Sequence, residues 1–432
     1  MKKGILIVVG VVFLIIVIVA IMFVFSICPP KGPWPTPPWC GKDFTRYTYE
    51  VDANPSSISQ IKAVNMYDTW GRNYNMGMVE TTQANIESSF ERVKKLGAQE
   101  VYVHDFDRAI YDGKTDYKST GYTFVDETFW NDFRDQSISN DELKKLVDAA
   151  HSRGMKIGIK RNIAFVNIGN FILSGIKGNI SSDVEKDYKE FNNYHSEEWI
   201  RDFFKKWQDR LVEKGKIYQE IGIDSMSISP QFQNPTFVGH EELANQLWKN
   251  LIAELRSNFK GKIVVDLDVY GFVDGKNGNE DWKKYDYYKD ADIVEVRIYK
   301  ILEKYQSSSQ NIKDDIKKMI DELDLKAKEI GLKISVFFAP SSYKNGLYKG
   351  PVEFLDVRNQ NIKNLEKDYN EQVIGFDSFF NAVKDKTNIE RINMGNFAWD
   401  DALDPEVKPK ISISAGFRNK PAENLIELWF LK

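Results

Sequence analysis

From about residue 61 onward the chain repeats one pattern: a short run of β-branched and aromatic residues, then a longer stretch with helical hydrophobic spacing. The predicted strands are AVNMYDTW (63–70), EVYVHDFD (100–107), KIGIKRNI (156–163) and DSMSISPQ (224–231). KIVVDLDVYGF (262–272), DIVEVRIY (292–299), KISVFFAP (333–340) and RINMGNFAW (391–399) complete the set. Helical stretches such as DELKKLVDAAHSRG and HEELANQLWKNLIAELRSNF lie between them, and several end in glycine just before the next strand: Gly97, Gly154, Gly222 and Gly331. Glycine there is a helix C-terminal signal, because it accepts left-handed backbone. Strands alternating with helices in this number predict an α/β fold of the (β/α)8 TIM-barrel type, with an open doubly wound sheet as the alternative.

Side chains alternate across a strand, so the apolar row marks the face that meets the helices. Val265, Leu267 and Val269 form such a row, which sends Asp266, Asp268 and Tyr270 inward. By the same rule Glu295, Arg297 and Tyr299 point inward opposite Val294, Val296 and Ile298. Lys160 and Asn162 point inward, as do Ser225, Ser227, Ser229 and Gln231. Barrel cores are normally filled by branched apolar residues, and buried charges are costly unless paired. This interior is therefore either a paired network or a polar pocket at the C-terminal ends of the strands.

The N-terminus carries a different signal. Lys2 and Lys3 precede an uncharged run through residues 4–27, GILIVVGVVFLIIVIVAIMFVFSI. About 20 apolar residues cross a bilayer as a helix, and the run is too long for the core of a cleaved signal peptide. Residues 1–28 are expected to be a transmembrane signal anchor, residues 29–42 a Pro-rich stalk, and residues 43–432 the barrel. Basic residues ahead of the span place the N-terminus in the cytoplasm and the barrel outside, at the cell membrane. Cys28 and Cys40 flank the stalk and could pair there, or Cys28 could carry a lipid; Asn179-Ile-Ser is a glycosylation triplet.

Composition narrows the chemistry. A formal net charge of -4 leaves no basic surplus for nucleic acid. Four scattered histidines and two cysteines give no zinc spacing, and no metal or cofactor is expected. No phosphate-binding loop, dinucleotide fingerprint or G-x-S-x-G elbow occurs, and DGKNGNED (274–281) lacks the spacing of a calcium loop. Aromatics make up 13% of the chain, with ten tryptophans, which suits a cleft that stacks sugar rings.

Longer passages carry a family resemblance. LKKLVDAAHSRGMKIGIKRNI, WIRDFFKKWQDRLVEKGKIYQEIGIDSMSIS and DADIVEVRIYKIL resemble the third, fourth and sixth units of clan A glycoside hydrolases, most closely the family 113 β-mannanase-type barrels. DYNEQVIGFDSFFNAV, GNFAWDD and FRNKPAENLIELWF are similar to the closing helix, eighth-strand tryptophan and tail of that group. The resemblance covers roughly residues 61–430. It implies a barrel with a sugar cleft, in which Tyr299 and Trp399 match the family's sixth-strand tyrosine and eighth-strand tryptophan. It also implies a general-acid glutamate after the fourth strand and a nucleophilic glutamate at the end of the seventh. Gln231 stands at the first position, and VFFAPSSY holds no carboxylate between Ser335 and Tyr343.

Glycoside hydrolysis needs two carboxyl groups across the scissile bond. Asp268 and Glu295, inward on neighbouring strands, are the candidates for a relocated pair, and Asp105, Asp107, Asp400 and Asp401 are alternates. The cleft is expected to be lined by Trp70, Asp105, Lys160, Asn162, Gln231, Tyr270, Arg297, Tyr299 and Trp399, with Trp70 and Trp399 as stacking surfaces. The sequence thus predicts a glycoside-hydrolase-like protein acting on extracellular or envelope polysaccharide; the alternative is a non-catalytic carbohydrate-binding barrel at the cell surface. Oligomeric state is open.

Overall fold

A computed structural model describes residues 50–51, 53–67, 79–111, 122–125, 138–167, 195–229, 237–270, 284–298, 301–302, 308–350, 364–398 and 412–432. The expected anchor and stalk, Cys28, Cys40 and Asn179 lie outside the described residues, as do Trp70, Gln231, Tyr299, Trp399, Asp400 and Asp401. Among the described residues no helix is long and apolar enough to cross a membrane.

The chain runs β1 (Ile61–Tyr67), α1 (Val79–Lys95), β2 (Glu100–Tyr111), β3 (Tyr122–Val125), α2 (Asn140–His151) and β4 (Lys156–Asn167). Then come α3 (Glu197–Ile221), β5 (Ser225–Ser227), α4 (Glu241–Asn258), β6 (Lys262–Tyr270), a 3-10 turn (Tyr287–Asp290) and β7 (Ile293–Ile298). The last part is α5 (Ser309–Glu329), β8 (Ile334–Phe338), α6 (Gly346–Lys349), α7 (Tyr369–Val383), β9 (Ile389–Ala398) and α8 (Pro421–Phe430).

Eight of the strands form a closed parallel ring. The order is β1-β2-β4-β5-β6-β7-β8-β9, and β9 returns to β1. β3 stands outside the ring, antiparallel to residues 108–111 of β2, and the strands expected from the sequence did not include it. The fourth, sixth, seventh and eighth barrel strands are therefore β5, β7, β8 and β9.

Local chemistry accounts for the helix ends. Ser139 and Glu142 form a reciprocal capping box at the start of α2, and Ser196 accepts from the Trp199 amide at the start of α3. Gly97, Gly154, Gly222 and Gly331 all have positive φ. At α3 the Gly222 N–H reaches the Tyr218 carbonyl, a bond that a β-carbon at φ 90 would strain.

The apolar core is an annulus between strands and helices. Val265 and Leu267, Val294 and Val296, Val101 and Val103, and Ile157 and Ile159 are all buried in one cluster with the helices. The apolar rows thus face outward, as the alternation predicts. What fills the inside of the ring is mostly polar.

Candidate active site: a charged barrel interior

Lys160 enters the ring from β4, Asp266 from β6 and Glu295 from β7. All three are almost inaccessible, with exposures of 1%, 3% and 0%. The Lys160 ammonium donates to Asp266 Oδ1 at 2.6 Å and to Glu295 Oε1. Every remaining acceptor of the two acids is also engaged. Ser227 Oγ donates to Asp266 Oδ2, while Ser335 Oγ and Asn393 Nδ2 donate to Glu295 Oε2 at 3.1 and 2.9 Å. The Tyr102 ring lies under the ammonium, 5.0 Å from Nζ to its centroid. Below this layer Arg391 Nε holds Glu100 at 2.7 Å.

Burial alone would push the Asp266 carboxyl up, but the charges of Lys160 and Arg297 and the hydrogen bonds from Lys160 and Ser227 outweigh it. The group is held below the ordinary aspartate range. Burial drives the Tyr102 phenol far in the other direction, so it stays neutral. The interior therefore consists of fixed charges with satisfied partners, which is what a buried ion cluster requires to be tolerated.

This geometry corrects part of the sequence reading. Glu295, expected as a catalytic carboxylate, is fully enclosed, with both oxygens bound to Lys160, Ser335 and Asn393. Lys160 sits in the same closed layer rather than on a cleft wall. Register places Asp266, not Asp268, opposite Glu295; Asp268 pairs with Arg297 one inward step nearer the C-terminal mouth. The side chains of Asp268, Asn162 and Tyr270 lie outside the described residues. A register shift between Asp268 and Tyr270 sets Tyr270 opposite Ile298 instead of Tyr299, so simple alternation stops at Asp268. Arg297, expected on the cleft wall, takes the inward direction that alternation predicts but is only 2% exposed, and its charge acts on Asp266.

Asp105 is not in the cleft. It shares the outward row of β2 with Val101, Val103 and Asp107, and faces α3. There Arg161 from β4 binds Asp105 and Asp107, Tyr218 donates to Asp105, Arg210 Nε reaches Asp107 at 2.8 Å, and the Lys214 ammonium lies 3.9 Å from Asp105. Burial raises the Asp105 pKa, and the nearby Arg161 and Lys214 charges with the Tyr218 hydrogen bond more than reverse it. Sequence reasoning missed this lock, although its signs were present. Charged residues interrupt two apolar strand rows, and Arg210, Lys214 and Tyr218 recur every four residues along one stripe of α3.

At the mouth, the inward row of β8 runs Ser335, Phe337, Ala339. Phe337 is 6% exposed and packs with Ala339 and Ala415. Its ring lies so close to Gly395 on β9 that a β-carbon there would fall 2.4 Å from it. An apolar plug thus occupies the end of the seventh barrel strand. Beside it the buried Lys420 ammonium donates to Ser342 Oγ at 2.7 Å and to the Ser414 carbonyl at 2.9 Å, tying the last segment across the strand ends. Asn65 on β1 donates to Asn396 at 2.6 Å, closing the seam between first and last strands. Among the described residues no group of three or more histidine, cysteine or acidic side chains gathers to hold a metal ion.

The closed ring and its helices define a (β/α)8 barrel. Solved structures with this fold include the family 113 β-mannanase of Alicyclobacillus acidocaldarius in complex with ManMIm (TM-score 0.57, 13% identity, 87% of this chain and 97% of that chain). A family 113 β-1,4-mannanase (TM-score 0.55, 15% identity, 87% and 99%) is similar as well. So is the family 5 mannosidase of Rhizomucor miehei, as a point mutant in complex with mannosyl-fructose (0.53, 12%, 87% and 93%). No protein-family model matches the chain. No curated protein matches it in sequence.

Proposed function

We propose that this chain is a glycoside-hydrolase-like barrel, tethered to the cell membrane by residues 4–27, that engages polysaccharide outside the cell and holds it rather than cutting it. The observation that carries the reading is the inner row of the seventh barrel strand: Ser335, Phe337 and Ala339 form an apolar end with no carboxylate. Retaining and inverting hydrolysis both need a second carboxyl group facing the scissile bond. Glu295 does not supply it, because its oxygens serve Lys160, Ser335 and Asn393. The fold, its aromatic richness and the mannanases that share the architecture make β-1,4-linked mannan the first glycan to test.

A hydrolase remains the second reading, favoured by Asp268, which stands above the closed layer in register with Arg297. The full chain in detergent, offered a polysaccharide panel that includes β-1,4-mannan, separates the two. Retention of a glycan without new reducing ends, lost in Trp399→Ala, supports the binding barrel. Reducing-end release that disappears in Asp268→Asn establishes the hydrolase instead. Neither retention nor release from any polysaccharide would overturn both.

A further inference from the structure

The charge of this molecule is unevenly placed. The chain carries a formal net charge of -4. Yet six lysines, Lys62, Lys156, Lys260, Lys262, Lys333 and Lys384, gather at the N-terminal ends of the barrel strands and the turns that lead into them. None has a carboxylate within ion-pair reach among the described residues; Lys62, Lys260 and Lys333 donate only to backbone carbonyls. Several of the acids on the same face are spent. Glu100 is held by Arg391, Asp224 by His151, Asp292 by Arg256 and Asp321 by Lys386, which leaves Glu220, Asp290, Asp385 and Glu390 against the six lysines. Two clefts open on this face, of about 160 and 550 Å³. Lys156, Lys260 and Lys262 line the smaller, and Lys333, Lys384 and Lys386 the larger.

The same face receives the chain from its N-terminal side. Gln60, immediately before β1, donates to the Val383 and Lys386 carbonyls at 3.0 and 2.9 Å, so the polypeptide arrives through this end of the ring. Residues 28–60 connect the apolar run at residues 4–27 to that arrival point. We infer that the N-terminal face of the barrel docks on anionic phospholipid headgroups of the bilayer that holds the anchor, turning the C-terminal mouth away from the membrane. The surface potential of an anionic bilayer acts within about a Debye length of the headgroups, and each lysine there changes partition by about fivefold. The inference rests on the tethered reading given above, and it adds a lipid chemistry and an orientation to it.

The test uses the full chain, with Cys28→Ser and Cys40→Ser, reconstituted into vesicles of phosphatidylcholine alone or of phosphatidylcholine and phosphatidylglycerol in equal parts. A fluorophore is placed at Thr387→Cys on the lysine face, or at Val238→Cys, which is 62% exposed at the opposite end before α4. Nitroxide-headgroup lipid is the quencher. Quenching of the Thr387 probe is expected to rise severalfold in the anionic vesicles. It should fall back in high salt and in the combined variant Lys156→Gln, Lys260→Gln, Lys262→Gln, Lys384→Gln, while the Val238 probe stays unquenched. An unchanged melting temperature of the variant shows that the barrel is intact. Equal quenching of the Thr387 probe in the two kinds of vesicle, or equal quenching of both probes, overturns the docking while leaving the tether standing. Release of the chain from vesicles by alkaline carbonate overturns the tether and the docking with it.

Discussion

Lys160 shows how much of this barrel depends on single charges. Its ammonium neutralises Asp266 and Glu295 in a layer that water does not reach. Lys160→Met strands two acids in the interior, and removing one partner of a buried ion pair costs about 3–5 kcal/mol. Urea unfolding should show that loss. The triple variant Lys160→Met, Asp266→Leu, Glu295→Leu should recover much of it, since no member of the triad is then left charged and unpaired. A pH dependence follows from Asp266 and Asp105. Both are held below the ordinary aspartate value, so the unfolded chain binds their protons more readily than the native one. Their stabilisation is complete above about pH 4, the unfolded range, and fades as pH falls through the lower native values. Stability measured by denaturant between neutral pH and about pH 3 should therefore drop on the acidic side, and Asp105→Asn should flatten part of that limb. At this scale the sequence was informative about direction and silent about company. Alternation against Val265, Leu267, Val294 and Val296 sent Asp266, Glu295 and Arg297 inward, and the structure agrees. The same rule was not carried along β2, where Val101 and Val103 place Asp105 on the helix side.

Among the elements, α3 is the clearest case of a helix fastened by charge as well as by apolar packing. At 25 residues it is about 37 Å long, and its middle is held by Arg210, Lys214 and Tyr218 against Asp105 and Asp107 of β2 and Arg161 of β4. Arg161→Leu leaves two acids buried beneath it. Hydrogen exchange should then quicken in α3 and in residues 100–107 and 156–163 before the rest of the ring. Gly158 tests the inner packing of the neighbouring strand. A β-carbon there would come within 2.4 Å of both Ser225 Oγ and the Tyr102 ring, so Gly158→Ala should cost about 1–3 kcal/mol in a thermal or urea melt. Element limits were partly legible. The C-terminal ends of α2 and α3 followed from Gly154 and Gly222, because caps are local chemistry, while the Ser139 and Ser196 caps at their starts were not read from the sequence. The outer ends of β2 and β4 were not, since they extend to residues 111 and 167 by pairing with each other and with β3. A strand stops where its partner stops, and no window of sequence contains the partner.

For the whole molecule, the prediction that matters most is a separation of binding from turnover. With the seventh barrel strand closed by Phe337 and Ala339, Phe337→Glu alone is not expected to create reducing-end release, because Glu295 on the neighbouring strand keeps both oxygens on Lys160, Ser335 and Asn393. A chromogenic or reducing-sugar assay on β-mannan checks this directly. The eightfold alternation, the direction of the apolar rows, the glycine helix ends and the absence of glutamates at Gln231 and along VFFAPSSY all belong to the linear chain. They depend on neighbours a few residues apart, where backbone geometry sets the period. Which charges meet was decided only by closure. Lys160, Asp266, Glu295 and Asn393 come together because the ring's register brings four distant strands to one level, and that register turned an expected cleft wall into a sealed floor.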